Sequence, residues 1–197
     1  MSQLTGDEEF TFDNKELGFN MLDFWKFHFS NIYNMQSKIA EFIVSKALGL
    51  NEAQNCDYWT LFDMLYKGFR IEVKETSYYH PWNENGNVSN KRSFDIKKAN
   101  SNYEDEESEN RYERQNDIYI FCVNNGKNQK ESYPLNLDNW DFYIIPTKII
   151  NEQCGDAKSV SLGRLKNMGY SAKNYFEIRS EVDNIIEELS VNYKIGV

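Results

Sequence analysis

The sequence predicts an α/β (or α+β) layer, a mixed sheet covered by helices, in one domain spanning residues 1–197. The stretch Tyr58–Trp82, YWTLFDMLYKGFRIEVKETSYYHPW, alternates in the way of a β-hairpin. Asp117–Val123, DIYIFCV, is almost continuously apolar, the pattern of a strand buried on both faces, and Trp140–Thr147, WDFYIIPT, is a further strong strand candidate. Apolar residues at helical spacing flank these strands on both sides.

A chain of 197 residues, 40% apolar and 15% aromatic, is long enough for one domain with a ring-filled core. Its 22 Lys and Arg against 31 Asp and Glu leave a net charge of -9. Such a charge repels polyanions at long range, so any nucleic-acid surface must be local. No run approaches the roughly 18 apolar residues of a membrane span, and the acidic N-terminus has no secretory pattern, so the expected compartment is the cytoplasm. Cys56, Cys122 and Cys154 stand far apart without metal spacing and read as reduced structural thiols.

In chain order, Met1–Lys15 is a polar lead or a short edge element carrying Phe10 and Phe12. Residues 17–50 read as a helical lead, one bent helix or two, with Leu17, Met21, Leu22, Trp25 and Phe29 followed by Ile39, Ile43, Val44 and Leu48. Gly49 caps its C-terminus. After the hairpin come loop residues 76–90, then a third strand over Arg92–Lys97 with Phe94 and Ile96 inward. Residues 99–115 form a highly charged solvated segment, or a flap over a substrate channel. Pro146 marks the end of the last strand or an edge position, and helices follow over 159–189.

The chemistry concentrates on the hairpin. A two-residue turn at Lys67-Gly68 sets Tyr66 against Phe69 and, counting back, Asp63 directly across from Glu72. Opposed carboxylates repel unless a divalent cation bridges them or both face water. Asp63 and Glu72, with the Val73 carbonyl, offer the oxygen-rich set that Mg2+ favours, with Mn2+ as a substitute. Lys74, on the Glu72 side of its strand, would orient the attacking water or balance charge growing on a phosphate. Asp57 faces Tyr78 in the same register, out of reach of Glu72, and Glu75 turns to the Ile71 and Val73 side. Glu41 is either the polar flank of its helix or a further acid lent to the edge of the site. His80 could donate to a phosphate, whereas His28 has no partner of metal spacing. Arg92 and Lys97, if they share a groove with Lys74, would add a local basic patch for a phosphate backbone together with Lys67, Arg70, Lys91 and Lys98. The chain has no Gly-rich phosphate loop, no GxSxG and no zinc signature.

The run RIEVKETSYYHPW, preceded by YWTLFD and followed by RSFDI, resembles the PD-(D/E)xK superfamily of restriction-endonuclease-like proteins. The likeness is to uncharacterised bacterial members whose core reads like IEVKSSAYLQSW, and it extends through NDIYIFCV and WDFYIIPTKIIN over residues 41–165. The resemblance implies an α-β-β-β-α-β core and a Mg2+-dependent endodeoxyribonuclease, with the metal on Asp63 and Glu72, Lys74 as catalytic helper and Glu41 from the first helix. Two departures stand out: no proline precedes Asp63, and His80 replaces an expected glutamine.

Duplex DNA is then the expected partner, and a homodimer would cut both strands with two symmetry-related sites. One rival is an inactive DNA-binding or assembly protein on the same fold, which predicts Lys74 salt-bridged to Glu72 and a site closed to metal. A second is a protein-interaction module, which predicts a large apolar patch away from the hairpin and no basic groove.

Overall fold

The computed structural model describes residues 4–29, 35–50, 61–79, 92–100 and 112–195, and the chain divides into two compact units, Met1–Gln36 and Ser37–Val197. In the first unit, β1 (Glu9–Phe12) and β2 (Lys15–Asn20) pair antiparallel, joined by Asp13 and Asn14, both at positive φ. Helix α1 (Met21–His28) follows, its start closed by a reciprocal capping box between Asn20 and Asp23. The helical spacing read from Leu17 therefore begins three residues inside a strand, because aromatic and aliphatic residues at 17, 19 and 21–22 satisfy either period.

The second unit is built on a four-stranded sheet in the order β3-β4-β8-β9. Its strands are β3 (Met64–Tyr66), β4 (Phe69–Ser77), β8 (Ile118–Asn124) and β9 (Trp140–Pro146). β4 and β8 run parallel, and the outer pairs run antiparallel, so the sheet is mixed. Within the long crossover from β4 to β8 lie β5 (Ser93–Asp95), β6 (Ala99–Asn100) and β7 (Tyr112–Glu113).

Side-chain alternation divides the core between the two faces of the sheet. On one face, Ile71, Val73, Ile118, Ile120, Phe142 and Ile144 pack against α2 (Gln36–Leu48) and α5 (Ile178–Ile195). On the other, Tyr119, Phe121, Tyr143 and Ile145 pack against α3 (Thr147–Cys154), α4 (Leu162–Asn167) and the pair formed by β5 and β10 (Ser159–Ser161). Every residue of β8 is buried, as its unbroken apolar run predicts. Pro146 ends the edge strand β9, where its missing N–H costs no central ladder bond.

Gly49 ends α2 as expected, with φ of 75°. The Leu50 N–H donates to the Ser45 carbonyl and the Gly49 N–H to the Lys46 carbonyl, the paired bonds of a Schellman cap. Two readings need correction. The RSFDIK strand does bury Phe94 and Ile96, but it pairs with β10 and stands outside the main sheet. Residues 159–161, read as the start of a helix, form that partner strand, and α4 begins at Leu162. Both errors have one cause, since the pairing joins segments more than sixty residues apart.

Among the described residues no helix is long and apolar enough to cross a membrane. Cys122 and Cys154 are free thiols. His80, Asp57, Cys56 and Lys91 lie outside the described residues.

The β3–β4 turn has Lys67 at φ 50° and Gly68 at φ 83°, the twist of a two-residue hairpin turn of type I′. A Cβ at Gly68 would meet nothing within 4 Å, so the cost of Gly68→Ala is purely the strain of the left-handed backbone. Urea unfolding of that variant is expected to show a loss of about 1 kcal/mol.

Candidate active site

Asp63 stands one residue before β3, and its N–H donates at 3.0 Å to the carbonyl of Ile71, the residue that Met64 already faces. The paired register ends at Met64↔Ile71, so the expected Asp63–Glu72 pair lies beyond it, and the Asp63 N–H turns toward β4 where a regular pair with Glu72 would turn it away. The Asp63 carboxylate reaches further along β4. Its Oδ2 accepts the Val73 N–H at 2.7 Å, which fixes the side chain at the edge of β4 beyond the end of β3. The N–H and C=O of one strand residue leave toward the same edge, so the Val73 carbonyl faces this edge as well.

Glu41 reaches the same place from α2. Ala40, Ile43 and Val44 anchor that helix in the core, which leaves Glu41 half-buried at the sheet edge with Lys38 paired to it at 2.8 Å. Glu72 and Lys74 project from β4 to the face that carries Tyr119, and the Lys74 ammonium is ion-paired with Glu72 Oε1.

These side chains feel one another's charge. Burial pushes the Asp63 carboxyl up, against the Val73 hydrogen bond and the charges of Lys74 and Lys38, which pull it down. Burial likewise raises Glu41, with the Asp63 charge adding to it and Lys38 opposing. Glu72 is raised to about 7, by burial first and then by Asp63, with Lys74 partly offsetting both and Glu41 adding a smaller push. Carboxyls that raise one another's pKa in a part-buried place are held short of positive charge.

A cavity of about 120 Å3 opens beside this cluster, lined by Glu72, Lys74, Asp95, Lys97, Glu113, Arg114 and Tyr119 among others. Lys97 thus shares a groove with Lys74, but its ammonium is bound to Asp95 at 2.6 Å. Arg92 does not share it: the guanidinium lies over the Tyr78 ring, 3.3 Å from its centre, and lines a different cavity. The expected basic patch is largely neutralised, because Lys67 pairs with Asp183, Arg70 with Asp117 and Lys98 with Asp156.

Several participants were missed by sequence reasoning. Lys38 carries a signal in its spacing of three from Glu41 on one helix. Tyr119 sits beside Glu72 in the β4–β8 register, and burial raises its hydroxyl so that it stays a neutral donor in the cavity. Arg114 is held by the carbonyls of Ile96, Gly155 and Ala157 and by the Asn151 side chain, tying the crossover to the end of α3. Nothing local marks either residue: Arg114 lies in a charged stretch, and Tyr119 is one more ring in an apolar strand.

Among the described residues, no three or more His, Cys, Asp or Glu side chains stand close enough to hold a metal ion among themselves. The donor chemistry nevertheless fits a hard cation. The Asp63 carboxylate and the Val73 carbonyl share the edge, and Mg2+ needs only one or two carboxylates because it keeps several of its waters. Comparison with known proteins finds no family model, no curated protein and no solved structure that matches this chain.

Folding raises the Glu72 pKa from an ordinary 4.5 to about 7, so the native state binds this proton more tightly than the unfolded chain. The stabilisation is complete below the unfolded value and is lost as pH rises through the folded one. Urea unfolding free energy is therefore expected to fall between about pH 5 and about pH 8. Glu72→Gln should flatten that fall and exceed the wild type at the alkaline end by about 2 kcal/mol.

Proposed function

We propose that the chain is a divalent-cation-dependent endodeoxyribonuclease with a restriction-endonuclease-like core, acting in the cytoplasm on duplex DNA. The observation that carries the reading is that Glu41, Asp63 and Glu72 each feel the charge of Lys74, all three carboxyls being raised by burial first, with Asp63 adding to the rise at Glu41 and Glu72. The order α2, β3, β4, with β8 parallel to β4, also supports it, although β5 pairs outside the main sheet. The choice of DNA rests on the resemblance of RIEVKETSYYHPW to PD-(D/E)xK enzymes.

In this reading Asp63, Glu72 and the Val73 carbonyl hold the cation, with Glu41 closing the edge from α2. A bound Mg2+ would supply a water of lowered pKa and neutralise charge on the scissile phosphate. The Val73 N–H keeps the Asp63 carboxylate in one orientation, so little ordering remains to be done on binding. Lys74, released from Glu72, donates to the attacking water or to a non-bridging phosphate oxygen. Tyr119 holds a neutral hydroxyl beside Glu72.

The Lys74–Glu72 ion pair favours a second reading, in which the same fold binds DNA without cutting it. Plasmid cleavage with Mg2+ or Mn2+ separates the two. Wild-type cutting is expected, with Asp63→Asn and Lys74→Ala each reducing the rate by at least about 100-fold while circular dichroism shows the variants folded. Cutting that survives Asp63→Asn would remove the site assignment; DNA binding with no cutting in either metal would establish the second reading.

A further inference from the structure

We infer that the first unit is a self-association surface: the apolar side of the β1–β2 hairpin, continued by α1, packs against the same surface of a second copy of this chain. The inference stands apart from the nuclease reading.

Alternation divides the hairpin into two sides of opposite character. The Phe10 and Phe19 rings touch, with centres 5.0 Å apart, and Phe12 and Leu17, each two residues from one of them along its strand, share their side. Glu9, Thr11, Glu16 and Asn20 take the other side. A strand pair patterned in this way has an apolar side that calls for a cover. The unit does not supply one: the four apolar side chains are between 38% and 77% exposed. Helix α1 enlarges the surface instead of closing it, since Phe24 and Phe27, three residues apart on one helix face, are 45% and 81% exposed. No apolar side chain among residues 4–29 is buried. A two-stranded hairpin is marginal in water by itself, and a unit of 36 residues with no cysteine to staple it needs a further surface to pack on.

Charge and area select a second copy as that surface. The hairpin carboxylates of Glu9 and Glu16 keep to the polar side, and the one charged strand residue on the apolar side is Lys15, opposite Phe12 at the turn end, where its ammonium can extend to water. Two chains that each carry a net charge of -9 can therefore meet on this side without opposing like charges across the contact. A two-fold contact uses the same patch on both partners, and rings packed on rings meet that condition. At about 200 Å2 per side chain, the exposed parts of Phe10, Phe12, Leu17, Phe19, Phe24 and Phe27 come to roughly 600 Å2 on each copy. Two copies would then bury about 1,200 Å2, the size at which stable interfaces begin.

The test is sedimentation equilibrium of the full-length protein in EDTA, without DNA, across a wide range of protein concentration. A reversible monomer–dimer equilibrium is expected. Phe12→Glu and Phe27→Glu should each raise the dimer dissociation constant at least roughly thirtyfold with the circular dichroism spectrum unchanged. Thr11→Arg, exposed on the polar side of the same hairpin, should leave the constant as it is. A dimer that both phenylalanine variants leave intact, or that Thr11→Arg weakens equally, overturns the surface. A chain that stays monomeric overturns the second copy as its occupant. In that case a thermal midpoint lowered by Phe12→Glu assigns the cover to the chain itself, and an unmoved midpoint assigns it to a different protein.

Discussion

The hydrogen bond from the Val73 N–H to the Asp63 carboxylate is the contact on which the candidate site turns, because β3 is only three residues long and ends before it can pair with Val73. Where a longer strand would have offered a backbone carbonyl, the Asp63 side chain does so instead. An unpaired N–H at a part-buried edge would cost about 1–3 kcal/mol. The carboxylate that relieves this cost is brought next to Glu72 and Glu41, whose charges oppose it. The hairpin therefore stabilises its own edge by concentrating negative charge there. Lys74 and Lys38 offset part of the repulsion, while burial holds the carboxyls of Asp63 and Glu72 above their ordinary values.

The same accounting explains how an acidic chain could meet a polyanion. With a net charge of -9 there is no long-range attraction to exploit, and most of the cations near the hairpin are already bound to carboxylates. These pairs hold the scaffold together: Arg70 clamps the start of β4 to Asp117 beside β8, and Lys67 ties the hairpin turn to Asp183 on α5. They are mostly solvent-exposed and individually weak, but each removes a base from any contact surface. What attraction remains must come from short-range, directional donors.

Local chemistry made the hairpin legible. Lys67-Gly68 can form a two-residue turn with both residues at positive φ, and the turn sets the register from Tyr66↔Phe69 to Met64↔Ile71. The Gly49 cap and the buried strand at DIYIFCV are equally short-range in origin. The third strand was legible as a strand but not as to its partner, because Val160, which pairs with Phe94, comes from the far side of β9. Tyr119 was hidden in the same way: within its own run it is one more large ring, and only its alignment with Glu72 gives its hydroxyl a place in the cavity.

By itself the sequence determined which residues could carry the chemistry, since alternation and turn geometry act over a few residues and leave little freedom. The tertiary structure alone decided how they are used. It brought Glu41 to the edge from another layer, joined Lys74 to Glu72, parted Arg92 from Lys97 and neutralised most of the expected basic patch. The physical reason is that burial, charge pairing and cavity shape depend on contacts between segments tens of residues apart. Nothing in the local pattern of those segments encodes which partner each will meet.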